Sequence, residues 1–492
     1  MFRYSIVSSH TAIVIALTLL LHAWSQNLSP SYVFAKSASP HHALASTATL
    51  DENVSSNERQ PQSMPVVRLK ATLAGHTKSI TEIAFSPDGE TIATGSEDGT
   101  VRLWSARIGK QKALIVGAEK YAWVQLIWSP DGRKLATTIS RNRDENRKTQ
   151  VWNAGTGELK ATLDAENSRG YISAWSPDGR TVLTESSDGT AKLWDAETGR
   201  LKATFEQEPP LLKETDSFLK SVLKGQRLFD ESFVHGYFDA SGQTILTTSY
   251  HQPPKLWNAA TAELKTILKR ADTTPDKSYH YYLGDLLLSP DKHLIVWRDS
   301  SSSMLLDTST GQPKYTLGDI GRLVSFSPDG RTILTIKRHD TVRLRGNSDQ
   351  LYLRDVATGQ IRLAFEKIPE GADRFFWSPQ GETIVVIGDG RTMTRLLDAY
   401  TGRAKARLPY QGCVPDTLFG SSGCEPFIFS ADGRVLLKLK ETLKLWSANT
   451  GELIAALGSA HLPAAFSPMD RSLLATRGRD RKTLLLWEVA IK

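Results

Sequence analysis

"SPDGRTVLTESSDGTAKLWDAETGRLKATF", Ser176 to Phe205, is the stretch on which the reading of this chain turns. Pro177, Asp178 and Gly179 supply the preset φ, the side-chain acceptor and the open φ of a tight turn. "TVLT" is an alternating return strand, and Asp188-Gly189 favours a type I′ hairpin. "AKLW" makes a third strand, "TG" a third turn and "LKATF" a fourth strand. An apolar strand ends just before Ser176, so the unit is a four-stranded antiparallel sheet with short turns.

Near-copies of the opening turn begin at Ser86, Ser129, Ser176, Asp239, Ser289, Ser327, Ser378, Ser430 and Ser467. Their mean spacing is about 48 residues, slightly above the ~40–45 of four-stranded propeller blades. Each copy closes on "W-D/N/S-A-x-T-G-E/R" or a worn form of it. Trp104, Trp152, Trp194, Trp257, Trp446 and Trp487 hold the aromatic position, and Leu306, Arg354 and Leu397 replace it in the fifth to seventh copies.

With these motifs the chain resembles the WD-repeat β-propeller family over about residues 66–492, in a bacterial-type form with nine degenerate repeats. The resemblance implies a buried tetrad of His, Ser/Thr, Asp and strand-c Trp. The first repeat matches it with His76, Thr94, Asp98 and Trp104; the third keeps Thr184, Asp188 and Trp194 without a matching His. Such polar residues invite a catalytic reading, but a satisfied buried network that fixes blade geometry explains them better. The last copy stops after its third strand, at "LLLWEVAIK", while "VVRLKATL" (Val66 to Leu73) precedes the first full copy. Pairing the two would close the ring and remove an exposed edge. The fold expected is therefore all-β: a single propeller of nine four-stranded antiparallel blades closed by an N-terminal strand. Eight blades with one irregular copy, or two smaller rings, are the alternatives.

The flanks and composition bound the setting. Arg3 precedes the apolar run "TAIVIALTLLL" (Thr11 to Leu21), and "VFA" (Val33 to Ala35) offers a small-residue cleavage site. That layout marks residues 1–35 as a signal peptide, with an uncleaved membrane anchor over residues 11–24 as the alternative. Residues 36–65 are too poor in large apolar groups to fold and read as a flexible linker. Export to a periplasmic or extracellular space suits the two cysteines, Cys413 and Cys424, as a loop-closing disulfide; two free thiols are the other reading. Two thiolates without nearby histidines do not make a zinc site. The net charge of +7 on 492 residues with 40% hydrophobic content is mild for a folded protein. It permits an anionic partner without requiring one.

Function is expected in the interruptions of the pattern. Both "SPDG" and "TG" turns stay short, whereas the b–c and d–a loops lengthen and emerge, by the family resemblance, on one face. Three loops of that face are basic: Arg141, Arg143, Arg147 and Lys148; Arg338, Arg343 and Arg345; and Arg477, Arg479 and Arg481. Counting their acids, residues 140–148, 337–350 and 477–482 carry +2, +2 and +3, together the chain's whole excess. Solvated loops are often charged for solubility alone; the sharper expectation is a protein partner with an acidic surface. No aromatic residues interleave with these arginines, which argues against nucleic acid. Membrane contact is expected only if the N-terminal segment stays uncleaved. Residues 212–225 have the spacing of a short amphipathic helix, packed on its own propeller or docking a partner. No nucleophile elbow, zinc-protease or phosphate-loop motif occurs, and no cofactor is implied. The reading is a non-catalytic interaction scaffold. A propeller enzyme or ligand sensor using the central channel, lactonase-like or TolB-like, is the rival, since such sites leave no local motif.

Overall fold

In the computed structural model the described residues are 66–490, without 117–122, 141–147, 164–170, 186–188, 207–233, 250–252, 269–285, 299–302, 319, 338–349, 366–367, 369–371, 373, 388–393, 409–426, 439–442 and 471. They contain strands and turns and no helix. The strands form nine antiparallel sheets of four, arranged as the blades of one propeller. Blade 1 shows the plan: strand a Ile80–Phe85, b Thr91–Ser96, c Thr100–Ser105 and d Gln111–Val116. Blades 2 to 8 follow over 123–163, 171–206, 234–267, 286–318, 322–364, 374–408 and 427–457.

Blade 9 is built from both ends of the described chain. Ala460–Phe466, Leu473–Gly478 and Leu484–Ala490 supply strands a to c, and Val66–Leu73 pairs with the last of these as strand d. The register runs from Val66 opposite Ala490 to Leu73 opposite Leu484. Closure by an N-terminal strand and a count of nine are thus as the sequence leads one to expect. The core explains why closure is needed. Each hydrophobic cluster straddles two neighbouring blades, so no blade buries its own apolar face alone. Leu73, Ile80, Ile92 and Trp104 pack with Leu473, Leu484 and Leu486 across the seam between blades 9 and 1.

Antiparallel order puts the a–b and c–d turns at one end of every blade, and the b–c and d–a connections at the other. A backbone bond ties the first end together: Ala106 N donates to Glu90 O at 3.0 Å, and Ala196 N to Arg180 O at 2.9 Å. The alanine of "W-x-A" is buried because it carries this bond, at Ala106, Ala154, Ala196 and Ala448. The turn glycines fix blade spacing. Gly199 has φ +71°, and a Cβ there would lie 2.6 Å from the Thr162 carbonyl of the preceding blade. Only glycine allows both that conformation and that approach.

Candidate functional site

The tetrad of blade 1 forms as the sequence implies. Trp104 Nε1 donates to Thr94 Oγ1 at 2.9 Å, and Thr94 Oγ1 lies 2.8 Å from His76 Nε2. His76 Nδ1 lies 3.0 Å from Asp98 Oδ2, which also accepts the Thr77 N–H at 2.8 Å. Thr100 donates its hydroxyl to Asp98 Oδ1 at 2.6 Å. Burial works to raise the Asp98 carboxyl, but the bonds from His76, Thr100 and Thr77 overcome it and hold the group well below the usual carboxylate range. Every polar atom that could act on a substrate already has a partner inside the blade. This is a strut joining the d–a connection to strands b and c.

The other blades show how the tetrad wears away. The Trp-to-Thr bond persists at 2.8–2.9 Å in Trp152–Thr137, Trp194–Thr184, Trp257–Thr247 and Trp487–Thr476. Asp188, the remaining tetrad member of blade 3, lies outside the described residues. In blade 5 the indole has moved across: Leu306 takes the strand-c site and Trp297, 1% exposed, stands at the threonine site of strand b. Blade 7 replaces both partners with apolar ones, Leu397 and Val386. Removing donor and acceptor together leaves nothing unsatisfied, which makes the loss tolerable.

Polar groups at the turn end are tied down as well. The Ser86 hydroxyl donates to Asp88 Oδ1 and accepts the Thr91 N–H at 2.9 Å, and the pattern recurs at Ser129, Ser176, Ser289, Ser327 and Ser430. Four cations in the second position of strand d lean back over their own blade. Lys112, Lys265, Arg362 and Lys405 donate to the hydroxyls of Thr91, Thr244, Thr332 and Thr383 at 2.7–3.1 Å. Lys160 instead pairs with Glu197 of the next blade at 2.8 Å.

The opposite end differs. Of its expected basic residues, Arg141, Arg143, Arg147, Arg338, Arg343 and Arg345 lie outside the described residues, and Lys148 opens strand c of blade 2. Cys413, Cys424, the 212–225 segment, the expected signal peptide of 1–35 and the expected linker of 36–65 also lie outside them. Arg477, Arg479 and Arg481 belong to the b–c hairpin of blade 9. Arg479 and Arg481 are exposed. Arg477 is engaged within the ring: its Nη1 donates to Ser79 Oγ at 3.1 Å and to Ile80 O at 2.9 Å, latching blade 9 to blade 1. Burial, then the neighbouring Arg481 charge, push its guanidinium below the usual arginine value, with Glu97 acting the other way. Sequence spacing could not separate the latch from its exposed neighbours. Alternation could have: Arg477 follows the tetrad threonine position by one and so faces the next blade.

A second cluster was invisible in the sequence. Glu185, at that same strand position in blade 3, reaches strand a of blade 4. Its Oε1 accepts the Gly236 N–H at 3.1 Å and the Ser173 hydroxyl, and its Oε2 lies 3.0 Å from His235 Nδ1. The carboxylate stands between serine and histidine, the wrong order for activating a serine nucleophile. Among the described residues no group of three or more His, Cys, Asp or Glu is placed to hold a metal ion.

The family model for the WD domain, G-beta repeat, matches residues 67–105 and 157–195. Rat apoptotic protease-activating factor 1 is 23% identical over 281 residues, 56% of this chain and 20% of the relative. Human coronin-7 is 29% identical over 124 residues, 25% of this chain and 13% of the relative. A subunit of the mouse chromatin assembly factor 1 is 23% identical over 156 residues, 28% and 26% of the two chains. The matched stretch is therefore about a quarter or less of each relative's length. The designed Ika8 protein, a solved structure, covers 85% of this chain at 16% identity with a TM-score of 0.45, and 98% of its own chain is matched.

Proposed function

The chain is a WD-repeat β-propeller, and from that premise we propose that it is an exported, non-catalytic scaffold that binds a protein partner on the b–c/d–a end. The observation that carries the reading is the contrast between its two ends. At the turn end, the motif serines and five strand-d cations, Lys112, Lys160, Lys265, Arg362 and Lys405, are engaged inside or between blades. At the other end, the loops break the pattern, and Arg479 and Arg481 are exposed. One matched relative is by its name part of an assembly factor, which fits a propeller that works by holding other proteins. The acidic character of the partner follows from the charge of these loops.

Export rests on Arg3, the apolar run from Thr11 to Leu21 and the Val33–Ala35 site. The mature chain would begin at Lys36, which N-terminal sequencing of the protein recovered from cells would show.

The test of the scaffold reading is cross-linking capture with the full chain, followed by repetition with Arg479→Glu and Arg481→Glu. Partners held by the wild type and lost by the double variant, at unchanged thermal stability, are the expected result. Equal capture by both would remove the proposed binding end.

A further inference from the structure

The blade 9 hairpin places three arginines at the one seam where the ring is closed by strands from both ends of the described chain. We infer that this seam is an anion-binding site, formed by Arg479 and Arg481 beside the latch residue Arg477, and that its ligand is a carboxylate-rich segment of a protein partner. The proposal deepens the scaffold reading and rests on it.

Uncompensated charge is the first support. Among the described residues, no carboxylate lies within ion-pairing distance of any of these three guanidiniums. Asp480, between them, is committed to its own turn: Oδ1 accepts from the Lys482 and Thr483 N–H groups at 3.0 Å and from the Thr483 hydroxyl at 2.8 Å. Arg477 Nε is buried with no hydrogen-bond partner. A partly buried cation beside a second cation, opposed only by Glu97 from beyond ion-pairing distance, is an unfavourable arrangement that a bound anion relieves. The lowered affinity of Arg477 for its proton has this origin in burial and the Arg481 charge.

Backbone conformation is the second support. Arg481 has φ +64°. The matching hairpin sites of blades 1 and 3 are Gly99 and Gly189, at +82° and +84°. A side chain there is strained where glycine is not. The chain thus holds a guanidinium where its fold prefers none, and does so beside another arginine.

The site is also coupled to the closure. The Arg481 carbonyl accepts the Ile80 N–H of blade 1 at 2.7 Å, and Arg477 grips Ser79 and Ile80 from the same hairpin. An anion drawing these arginines together therefore braces the seam, and the Ile80 amide reports it. An acidic protein segment is favoured over nucleic acid because no aromatic side chain stands among these arginines for bases to stack on.

The experiment titrates the full chain with a poly-L-glutamate of about 20 residues, and separately with inorganic phosphate and oligo-dT of equal charge. Calorimetry and hydrogen exchange at the Ile80 amide are the readouts. Wild type should bind poly-L-glutamate with an affinity that falls as salt rises, and Ile80 exchange should slow. Arg479→Glu with Arg481→Gly should weaken binding roughly tenfold. Arg481→Gly alone should weaken binding and yet raise Tm by on the order of 1–2 °C, because it relieves the strained φ. Arg180→Glu, on the turn end, should change neither. Equal binding by the double variant overturns the site. Phosphate slowing Ile80 exchange as strongly overturns the peptide in favour of a small anion, and tighter oligo-dT binding overturns it in favour of nucleic acid. If poly-L-glutamate fails but the wild type still captures partners, the seam falls and the scaffold reading stands. If the wild type captures none, the scaffold reading falls, whatever poly-L-glutamate does.

Discussion

Trp446 and Lys438 face a mismatch that no other blade with a strand-c tryptophan shows among the described residues. Trp446 is 6% exposed and its Nε1 is buried without a partner. In blades 1, 2, 3, 4 and 9 a threonine of strand b accepts that indole proton; in blade 8 the equivalent site, two residues beyond Leu436 opposite the indole, is Lys438. Lys438 leans over the Phe427 ring at 5.6 Å instead.

Lys438→Thr is therefore expected to stabilise the protein. It supplies the acceptor seen at Thr94 and removes a desolvated donor, a gain of about 1 kcal/mol after the lost cation–ring contact. Urea unfolding at neutral pH measures it. A variant less stable than wild type would show that the lysine's own contacts outweigh the orphaned indole.

Two glycines with left-handed φ allow strain and collision to be told apart. Gly318 has φ +68° with nothing within 4 Å of a built Cβ, so Gly318→Ala meets only the left-handed conformation, about 1 kcal/mol. Gly199→Ala meets the same conformation and the Thr162 carbonyl at 2.6 Å, and should destabilise by about 2–3 kcal/mol. Ala262 and Lys292 occupy left-handed sites that the motif gives to glycine, at +59° and +60°. Ala262→Gly should gain up to about 1 kcal/mol. Equal losses for the two Gly→Ala variants would remove the inter-blade contact from the account.

Much of this was written in the sequence, for a physical reason. Turn chemistry is local, so Ser176-Pro177-Asp178-Gly179 and its copies could be counted and the nine blades inferred. The closing pair of strands was legible because the last copy lacks one strand and Val66–Leu73 supplies it. What the sequence hid depends on which blade face a side chain meets. Arg477 and Arg479 look alike in "RGRDRK", yet one latches the seam and the other is exposed. Glu185 and His235 are fifty residues apart and meet only because neighbouring blades abut.

Acid should weaken the protein through its paired carboxylates. Asp98 titrates below its unfolded value of about 3.9, so its contribution is present above pH ~4 and is lost as pH falls through the lower folded value. Asp307, held down to about 2 by bonds from Ser309 and Lys314 against burial, acts in the same direction. Asp98→Asn should cut stability at pH 7, with the gap to wild type narrowing below pH 4. Denaturant curves at pH 7, 5, 4 and 3 give the comparison. A gap that stays constant to pH 3 would show that the carboxylate's charge does not matter to the tetrad.

On the alkaline side the sign reverses, and the Glu185–His235 pair carries it. Burial lowers the affinity of the His235 ring for a proton, but the Glu185 charge and hydrogen bond outweigh that and lift it above the ordinary histidine value. A raised histidine gives stability that is fully present below its unfolded pKa of about 6.5 and is lost as pH rises through the folded one. Tyr237 beside it stays phenolic over this range, because burial and the same carboxylate push it up. His235→Gln should therefore differ most from wild type near pH 6 and progressively less as pH climbs. Glu185→Gln should bring the His235 titration, followed by proton NMR, down below 6.5, since burial then acts unopposed. A histidine that titrates identically with and without the Glu185 charge would mean that Glu185 ties blade 3 to blade 4 through its hydrogen bonds and not through its charge.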